Sequence, residues 1–271
     1  MSVKIDSQTR VHPHAEIGVD CEIGPFCTIG PHVKIGDRTK LVSHVVVDGH
    51  TTIGTDCSIF PFTTIGVQSQ DQKYIPDTVT YCDIGANNTI REFVSIHSGT
   101  EEGSRTVVGN HNAFLAHAHV AHNCQVGDHV ILSHSATVGG HVTVGDYANL
   151  GGLCAIHQFC TIGECAMVAG CSALRQDALP YTIAEGNPAR MRVVNRVGMQ
   201  RAGYSEEQIR EVRHAFRALF VNDMVFADAL QTVKRELGHL DYVEKMITAI
   251  DESKRGLARP DQEAFEINAG E

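Results

Sequence analysis

Imidazole is the side chain best suited to moving protons near neutral pH, and this 271-residue chain carries 16 histidines. Their spacing sorts them. His117, His119 and His122 lie in His117-Ala118-His119-Val120-Ala121-His122-Asn123-Cys124, where small neighbours leave room for a ligand beside His122. His141 follows 19 residues later, and His157 a further 16. A row of imidazoles along one groove suits general-base chemistry and polar ligand contacts. The bland reading is a ladder of solvated rings. Zinc is the third, since three His with an open fourth position make a catalytic metal site. By contrast, His14, His32 and His50, spaced by 18, and His111 and His129, spaced likewise, read as outward-facing stacks.

The nine cysteines argue against thiol chemistry. Cys21, Cys27, Cys57, Cys124, Cys154 and Cys160 share one repeat position with Ala15, Thr39, Thr51, Ala118, Ala136, Ala148, Ala166 and Ser172. A position that accepts Cys, Ala, Thr and Ser wants a small, weakly polar packing group. Nine cysteines in all, an odd number, do not suit a disulfide framework, and a reducing, cytoplasmic setting is expected. Met1–Arg10 contains no apolar signal segment, and no apolar run is long enough to span a membrane, so no membrane insertion is expected. With 22 Lys+Arg against 32 Asp+Glu, the net charge of −10 disfavours nucleic-acid binding.

The elements that must position these residues follow from a period of six. From Val11 every sixth residue is branched aliphatic through Ile65; the count resumes at Ile84–Ile96 and runs again from Val108 to Leu174, with Phe114 the one exception. The next residue is often Gly, as at Gly24, Gly36 and Gly139, which reads as a tight corner. Six fits neither the helical period nor sustained strand alternation. It fits short strands joined by sharp turns, three hexads to an 18-residue triangular coil, with coils stacked at the inter-strand spacing. Aromatics at only 6% and no Trp agree with an aliphatic column.

Residues 67–83 and 97–107 interrupt the count, and loops thrown out of a rigid repeat are usual carriers of binding residues. After Leu174 the pattern stops. Pro180, Gly186 and Pro188 read as a linker, and Ser205-Glu206-Glu207-Gln208 as a helix N-terminus. Three apolar helical faces follow. The predicted division is a β-solenoid over 1–185, a helical domain over 186–259 and a flexible tail over 260–271. Arg190, Arg192, Arg196, Arg201, Arg210, Arg213 and Arg217 make the helical part locally basic, which suits an acidic partner or a phosphate.

The hexads resemble those of the hexapeptide-repeat acyltransferases, whose fold is an all-β left-handed parallel β-helix; handedness comes from that resemblance alone. More narrowly, the chain resembles the acyl-carrier-protein-dependent UDP-N-acetylglucosamine O-acyltransferases. The similarity covers nearly the whole length through Ile23-Gly24-Pro25-Phe26-Cys27, Ser43-His44-Val45-Val46-Val47, Gln70-Asp71-Gln72-Lys73-Tyr74, His119–Cys124, His157-Gln158-Phe159-Cys160 and Gly186-Asn187-Pro188. The resemblance implies a small α-helical C-terminal domain after the β-helix. It also implies transfer of an R-3-hydroxyacyl group from acyl carrier protein, through its phosphopantetheine, to the sugar 3-hydroxyl, the first step of lipid A synthesis.

On that resemblance His122 is the general base and Gly140 the backbone donor to the oxyanion. Asp71, Lys73 and His97 are sugar contacts; His119, Gln158, Asn195 and Arg201 are nucleotide contacts. His141 and His157 support the groove, and Gly170 sets acyl length. A homotrimer with sites between subunits is implied, with no further cofactor and no metal. Some relatives carry Asp after the catalytic His, where Asn123 stands here, and paired Arg where Arg201 stands alone. Rival readings are a γ-class carbonic-anhydrase-like zinc lyase, an acetyl-CoA-dependent sugar acetyltransferase and a non-catalytic scaffold. A sibling N-acyltransferase would need a domain ahead of the repeat, and a repeat starting at Val11 leaves it no room.

Overall fold

The computed structural model describes residues 3–222 and 224–260. Residues 261–271, most of the expected tail, lie outside the described residues. Two-residue strands recur along the repeat and pair in parallel with the third strand onward, giving sheets of 11, 9 and 8 strands. These are the first, second and third faces of a triangular prism. Lys40–Leu41 pairs with Glu22–Ile23 at the predicted offset of 18 residues. The expected left-handed parallel β-helix with a helical region after it is therefore the architecture.

Each step position points inward: Ile29, Ile65, Ile96, Val120 and Leu150 are at most 2% exposed. The position four residues later has a specific task. Cys21 Sγ donates to the Gly36 carbonyl at 3.2 Å, Thr39 Oγ1 to Gly54 at 2.8 Å, and Cys124 Sγ to Gly139 at 3.1 Å. A small donor there satisfies a carbonyl of the next coil, which explains why Cys and Thr interchange. Among described residues all nine thiols are free, and only Cys171 is exposed. Burial pushes Cys82, Cys124 and Cys165 up to about 12, so none of these is a thiolate at neutral pH.

The glycines serve a different purpose from the one predicted. Gly24 and Gly36 do not adopt positive φ; the corner conformation is taken two residues later, by Phe26, Arg38, His117, Asn123, His141 and their equivalents. A Cβ on Gly24 would meet the Val42 carbonyl oxygen at 1.9 Å, and one on Gly36 would meet Gly54 at 2.7 Å. Close approach of successive coils selects Gly there, while the left-handed corner is held mostly by Asp, Asn, His and aromatic residues, with Arg38, Ser135 and Leu153 among the others.

Both interruptions leave the prism at the same edge, between the second and third faces. The first joins Thr64–Val67 to Tyr81–Ile84, and the second joins Ser95–His97 to Arg105–Val108. They sit on consecutive coils directly before the coil that carries His119–Val120. Their loops are tied together: Ser98 N–H donates to the Val67 carbonyl at 3.0 Å, and the Ser69 and Thr100 hydroxyls are 2.6 Å apart.

The predicted linker is instead structured. Thr182–Gly186 extends the first face in parallel beside Met167–Val168, then returns antiparallel as Ala189–Val194. The helical region accordingly starts at 196, not 186, because Pro180, Gly186 and Pro188 shape a hairpin rather than release the chain. It comprises α1 (Arg196–Arg201), α2 (Glu206–Phe220), α3 (Phe226–Leu237) and α4 (Asp241–Asp251). Ser205 caps α2 as predicted, in a reciprocal box with Gln208. The helices are fastened to the prism at the edge between third and first faces, where Glu164 accepts from the Tyr204 hydroxyl at 2.6 Å and pairs with Lys245 of α4.

Candidate active site

His122 stands just before the corner at Asn123, 8% exposed, where the second face turns into the third. Three groups surround its ring. Nδ1 is 2.9 Å from Asn123 Oδ1, Nε2 is 3.8 Å from Asp71 Oδ2, and His141 packs edge-on at 5.2 Å between centroids. The Gly140 backbone closes the remaining side: a Cβ built there would lie 2.5 Å from Nε2. Gly140 accepts from Phe159 N–H at 3.0 Å through its carbonyl, while its own N–H has no hydrogen-bond partner among the described residues. Gly140 is the first central residue of the turn, and its backbone lies against the His122 imidazole.

The interruptions supply the rest. Asp71 N–H donates to Ser69 Oγ at 3.1 Å, and Asp71 Oδ1 accepts from Lys73 N–H at 2.9 Å. That backbone bond, with smaller help from His122 and Lys73, holds the Asp71 carboxyl below the usual range. Thr100 N–H donates to Asn123 Oδ1 at 3.1 Å, and Asn123 Nδ2 donates to Glu101 Oε2 at 3.2 Å. A run of hydrogen bonds thus leads from Asp71 through Ser69, Thr100 and Asn123 to His122, whose Nε2 faces the Asp71 carboxylate at 3.8 Å. Ser69, Thr100 and Glu101 escaped the sequence reading because only the folding of two loops onto one edge brings them together.

The remaining predicted residues divide. His97 and His119 form a second imidazole pair, edge-on at 5.1 Å, on the second face before His122. His119 Nδ1 is 2.7 Å from Ser95 Oγ. His97 is 4% exposed, and its Nδ1 is a buried nitrogen with no partner among the described residues. Burial, then the neighbouring His119 and His122, push His97 down to about 4; burial and His122 lower His119 and His141 as well. These rings are neutral at pH 7, fit to accept or donate one hydrogen bond each.

His157 does not join the row. It is exposed, and its Nδ1 lies 3.0 Å from the Gln158 carbonyl and 3.1 Å from Arg255 Nη2, of which one nitrogen can serve only one at a time. Phe159, stacked on His141 at 4.7 Å, occupies the next rung of the groove. The expected line is therefore two imidazole pairs and an outlier. Lys73 and Gln158 are exposed beside the groove. Gly170 is exposed at another edge, where an added Cβ meets only the Gly152 backbone, its carbonyl oxygen at 3.2 Å and its nitrogen at 3.9 Å.

Asn195 and Arg201 lie elsewhere. Asn195 is the N-cap of α1; Oδ1 accepts from Gly198 N–H at 3.0 Å and Nδ2 donates to the Cys165 carbonyl at 2.8 Å. It seats α1 at the edge between third and first faces, with Arg201 exposed in the last turn. Of the outward stacks, His32 on His50 at 4.2 Å and His111 on His129 at 4.9 Å are as predicted, whereas His14 packs edge-on against His12 at 5.0 Å instead of continuing the first stack. Among the described residues no group of three His, Cys, Asp or Glu has the geometry to hold a metal ion.

Comparison with known proteins agrees with this fold. Residues 14–49 match the family described as bacterial transferase hexapeptide (six repeats), and residues 177–258 match the one described as UDP N-acetylglucosamine O-acyltransferase, domain 2. Fold and site together define a hexapeptide-repeat acyltransferase. An acyl-[acyl-carrier-protein]–UDP-N-acetylglucosamine O-acyltransferase from Akkermansia muciniphila is 49% identical over 252 residues, covering 91% of this chain and 95% of its own. One from Thermodesulfovibrio yellowstonii is 44% identical, covering 82% and 86%. The crystal structure of LpxA from Acinetobacter baumannii superimposes with a TM-score of 0.89 at 40% identity, over 94% of this chain and 99% of that one. The chain belongs to the acyl-[acyl-carrier-protein]–UDP-N-acetylglucosamine O-acyltransferase family. The zinc-lyase reading is not favoured: the relatives are acyltransferases. No helix among the described residues is long and apolar enough to cross a membrane.

Proposed function

We propose that the chain transfers an R-3-hydroxyacyl group from the phosphopantetheine thioester of acyl carrier protein to the 3-hydroxyl of UDP-N-acetylglucosamine, opening lipid A synthesis. His122 Nε2 takes the proton of the sugar hydroxyl as its oxygen attacks the thioester carbon. The carbonyl oxygen becomes an oxyanion, and the Gly140 N–H is the donor that faces it. Collapse breaks the C–S bond, and His122 returns the proton to the leaving sulfur. No acyl-enzyme forms, since Cys124, the nearest thiol in sequence, is buried with its pKa raised to about 12.

The observation that supports this reading is that the His122 ring packs against the backbone of Gly140, whose N–H has no hydrogen-bond partner among the described residues. Around it, Asp71 and Lys73 offer a carboxylate and a cation to sugar hydroxyls and phosphate. His97, with a buried and unpartnered Nδ1, lies behind His119, and His119 and Gln158 continue the polar wall. His141 supports the groove and His157, outside the row, bounds its far end; Gly170, on another edge, keeps the way for the acyl chain open where a neighbouring copy brings that edge to the site.

The nucleotide end supports a homotrimer. Arg201, and Asn195 that fixes its helix, sit on a different edge from His122, so one ligand reaches both only if a neighbouring copy supplies the second edge. A further edge exposes Phe26, Phe62 and Phe93 to about half, stacked with His44 and His117, an apolar strip that another copy would cover. On α2, Arg210, Arg213, His214 and Arg217 line a concavity of ≈ 420 Å³, the basic surface for acidic acyl carrier protein. No cofactor beyond the donor's own phosphopantetheine is required, and a cytoplasmic setting suits both substrates.

Changing His122→Ala is expected to lower kcat by roughly 10²–10⁴ while UDP-N-acetylglucosamine still binds in calorimetric titration. Turnover near the wild-type rate would overturn the assignment.

A further inference from the structure

We propose that Glu101 and Asn123 are positioning residues that hold His122 in its Nδ1–H tautomer, leaving Nε2 free to take a proton. The proposal rests on the reading of His122 as the base and adds what makes it one. A carboxylate at position 123 would accept from Nδ1 in either orientation. An amide does so in only one, because its other end donates.

Two contacts choose the orientation. Thr100 N–H is a donor at 3.1 Å and must meet oxygen; the Glu101 carboxylate, at 3.2 Å, accepts and must meet the NH₂. Both demands turn Oδ1 toward His122 Nδ1 at 2.9 Å, so the proton between them belongs to the imidazole. Were the amide reversed, its NH₂ would face the Thr100 N–H and its oxygen the Glu101 carboxylate. His122 would then accept at Nδ1 and carry its hydrogen on Nε2, where no base remains. The Asn123 backbone is pinned as well, since its N–H donates to Thr106 Oγ1 at 2.8 Å in the left-handed corner conformation.

Glu101 comes from the loop over 97–107 and is exposed, so its role lies in this contact and not in packing. Its loop is shaped independently, by Glu101 N–H to Ser104 Oγ at 3.0 Å and Ser104 N–H to the Glu101 carbonyl at 2.9 Å. Removing the carboxylate therefore frees the amide without dismantling the loop.

The tautomer is read directly by ¹⁵N NMR of histidine-labelled protein, with the His122 ring assigned by its disappearance in His122→Ala. The wild type is expected to show protonated Nδ1 at neutral pH, and Glu101→Ala a mixture with protonated Nε2. In Glu101→Ala, kcat is expected to fall about 10-fold with KM unchanged, and Glu101→Gln, which keeps an acceptor oxygen, to recover part of it. Asn123→Asp sets two carboxylates side by side, so one titrates at raised pKa and the acid limb of the pH–rate profile moves. Adding Glu101→Gln to Asn123→Asp is expected to move it back, a non-additivity that a merely structural role does not produce. A wild-type Nε2–H ring, or additive effects in the cycle, would overturn the proposal. Because the NMR signal needs no turnover, its outcome is independent of whether His122→Ala abolishes transfer.

Discussion

One hydrogen atom separates Gly140 from every other residue, and His122 leaves no space for more: a Cβ would sit 2.5 Å from Nε2. The same economy governs protonation. His97 is buried with its folded pKa pushed to about 4, while an unfolded histidine titrates near 6.5. Between those values the unfolded chain binds a proton that the folded one refuses. Stability attributable to His97 is thus full above about pH 6.5 and declines as the pH falls toward 4. Relative to His97→Gln, the wild type is expected to lose about 2–3 kcal/mol between pH 7 and pH 4.5. Urea unfolding at the two pH values measures it, and parallel curves for the two proteins would contradict it.

Short strands earn no stability singly; stacking does the work. Each strand pair is only two residues long over most of the prism, so its hold comes from the inward aliphatic, the donor at the corner and the coil on either side. Exposed pairs between coils, such as Lys34 with Glu16 at 2.9 Å and Arg38 with Asp56 at 2.6 Å, contribute little in solvent. The helices depend on different devices. Ser205 caps α2 in a reciprocal box, and Ile209, Val212, Phe216 and Leu219 lie buried along one face. Replacing Ser205→Ala is expected to destabilise the fold by about 1 kcal/mol, seen as a lower thermal midpoint with acyl-transfer kinetics unchanged at 25 °C. A larger change in KM for the carrier protein would mean that the cap also shapes the docking face.

Across the whole molecule, the decisive fact is that His122 and Arg201 occupy different edges of one prism. If a neighbouring copy completes each site, two crippled chains should repair one another. Protein co-assembled from equal amounts of His122→Ala and Arg201→Ala is expected to regain about a quarter of wild-type sites by random mixing around a three-fold axis. Either variant alone would lack them. Activity of the mixture no greater than the mean of the separate variants would place both residues in one chain's site.

The order of the chain by itself determined the prism. A branched aliphatic every six residues has one compact solution, because only a three-sided coil turns each of them inward while backbone groups pair between coils. The two interruptions, the Ser205 cap and the packing role of the cysteines were legible for the same reason: each is a local departure from, or a part of, a counted pattern. Two local signals misled. Glycine after each step was read as a corner when it serves coil-to-coil contact, and Pro180, Gly186 and Pro188 were read as a linker when they frame a hairpin. What the tertiary structure alone decided is which loop meets which corner. Ser69, Asp71, Thr100 and Glu101 converge on His122 from coils of 31 and 24 residues, and nothing in their spacing announces it. Contacts between loops depend on where rigid edges carry them, and a period counted along one dimension holds no record of that.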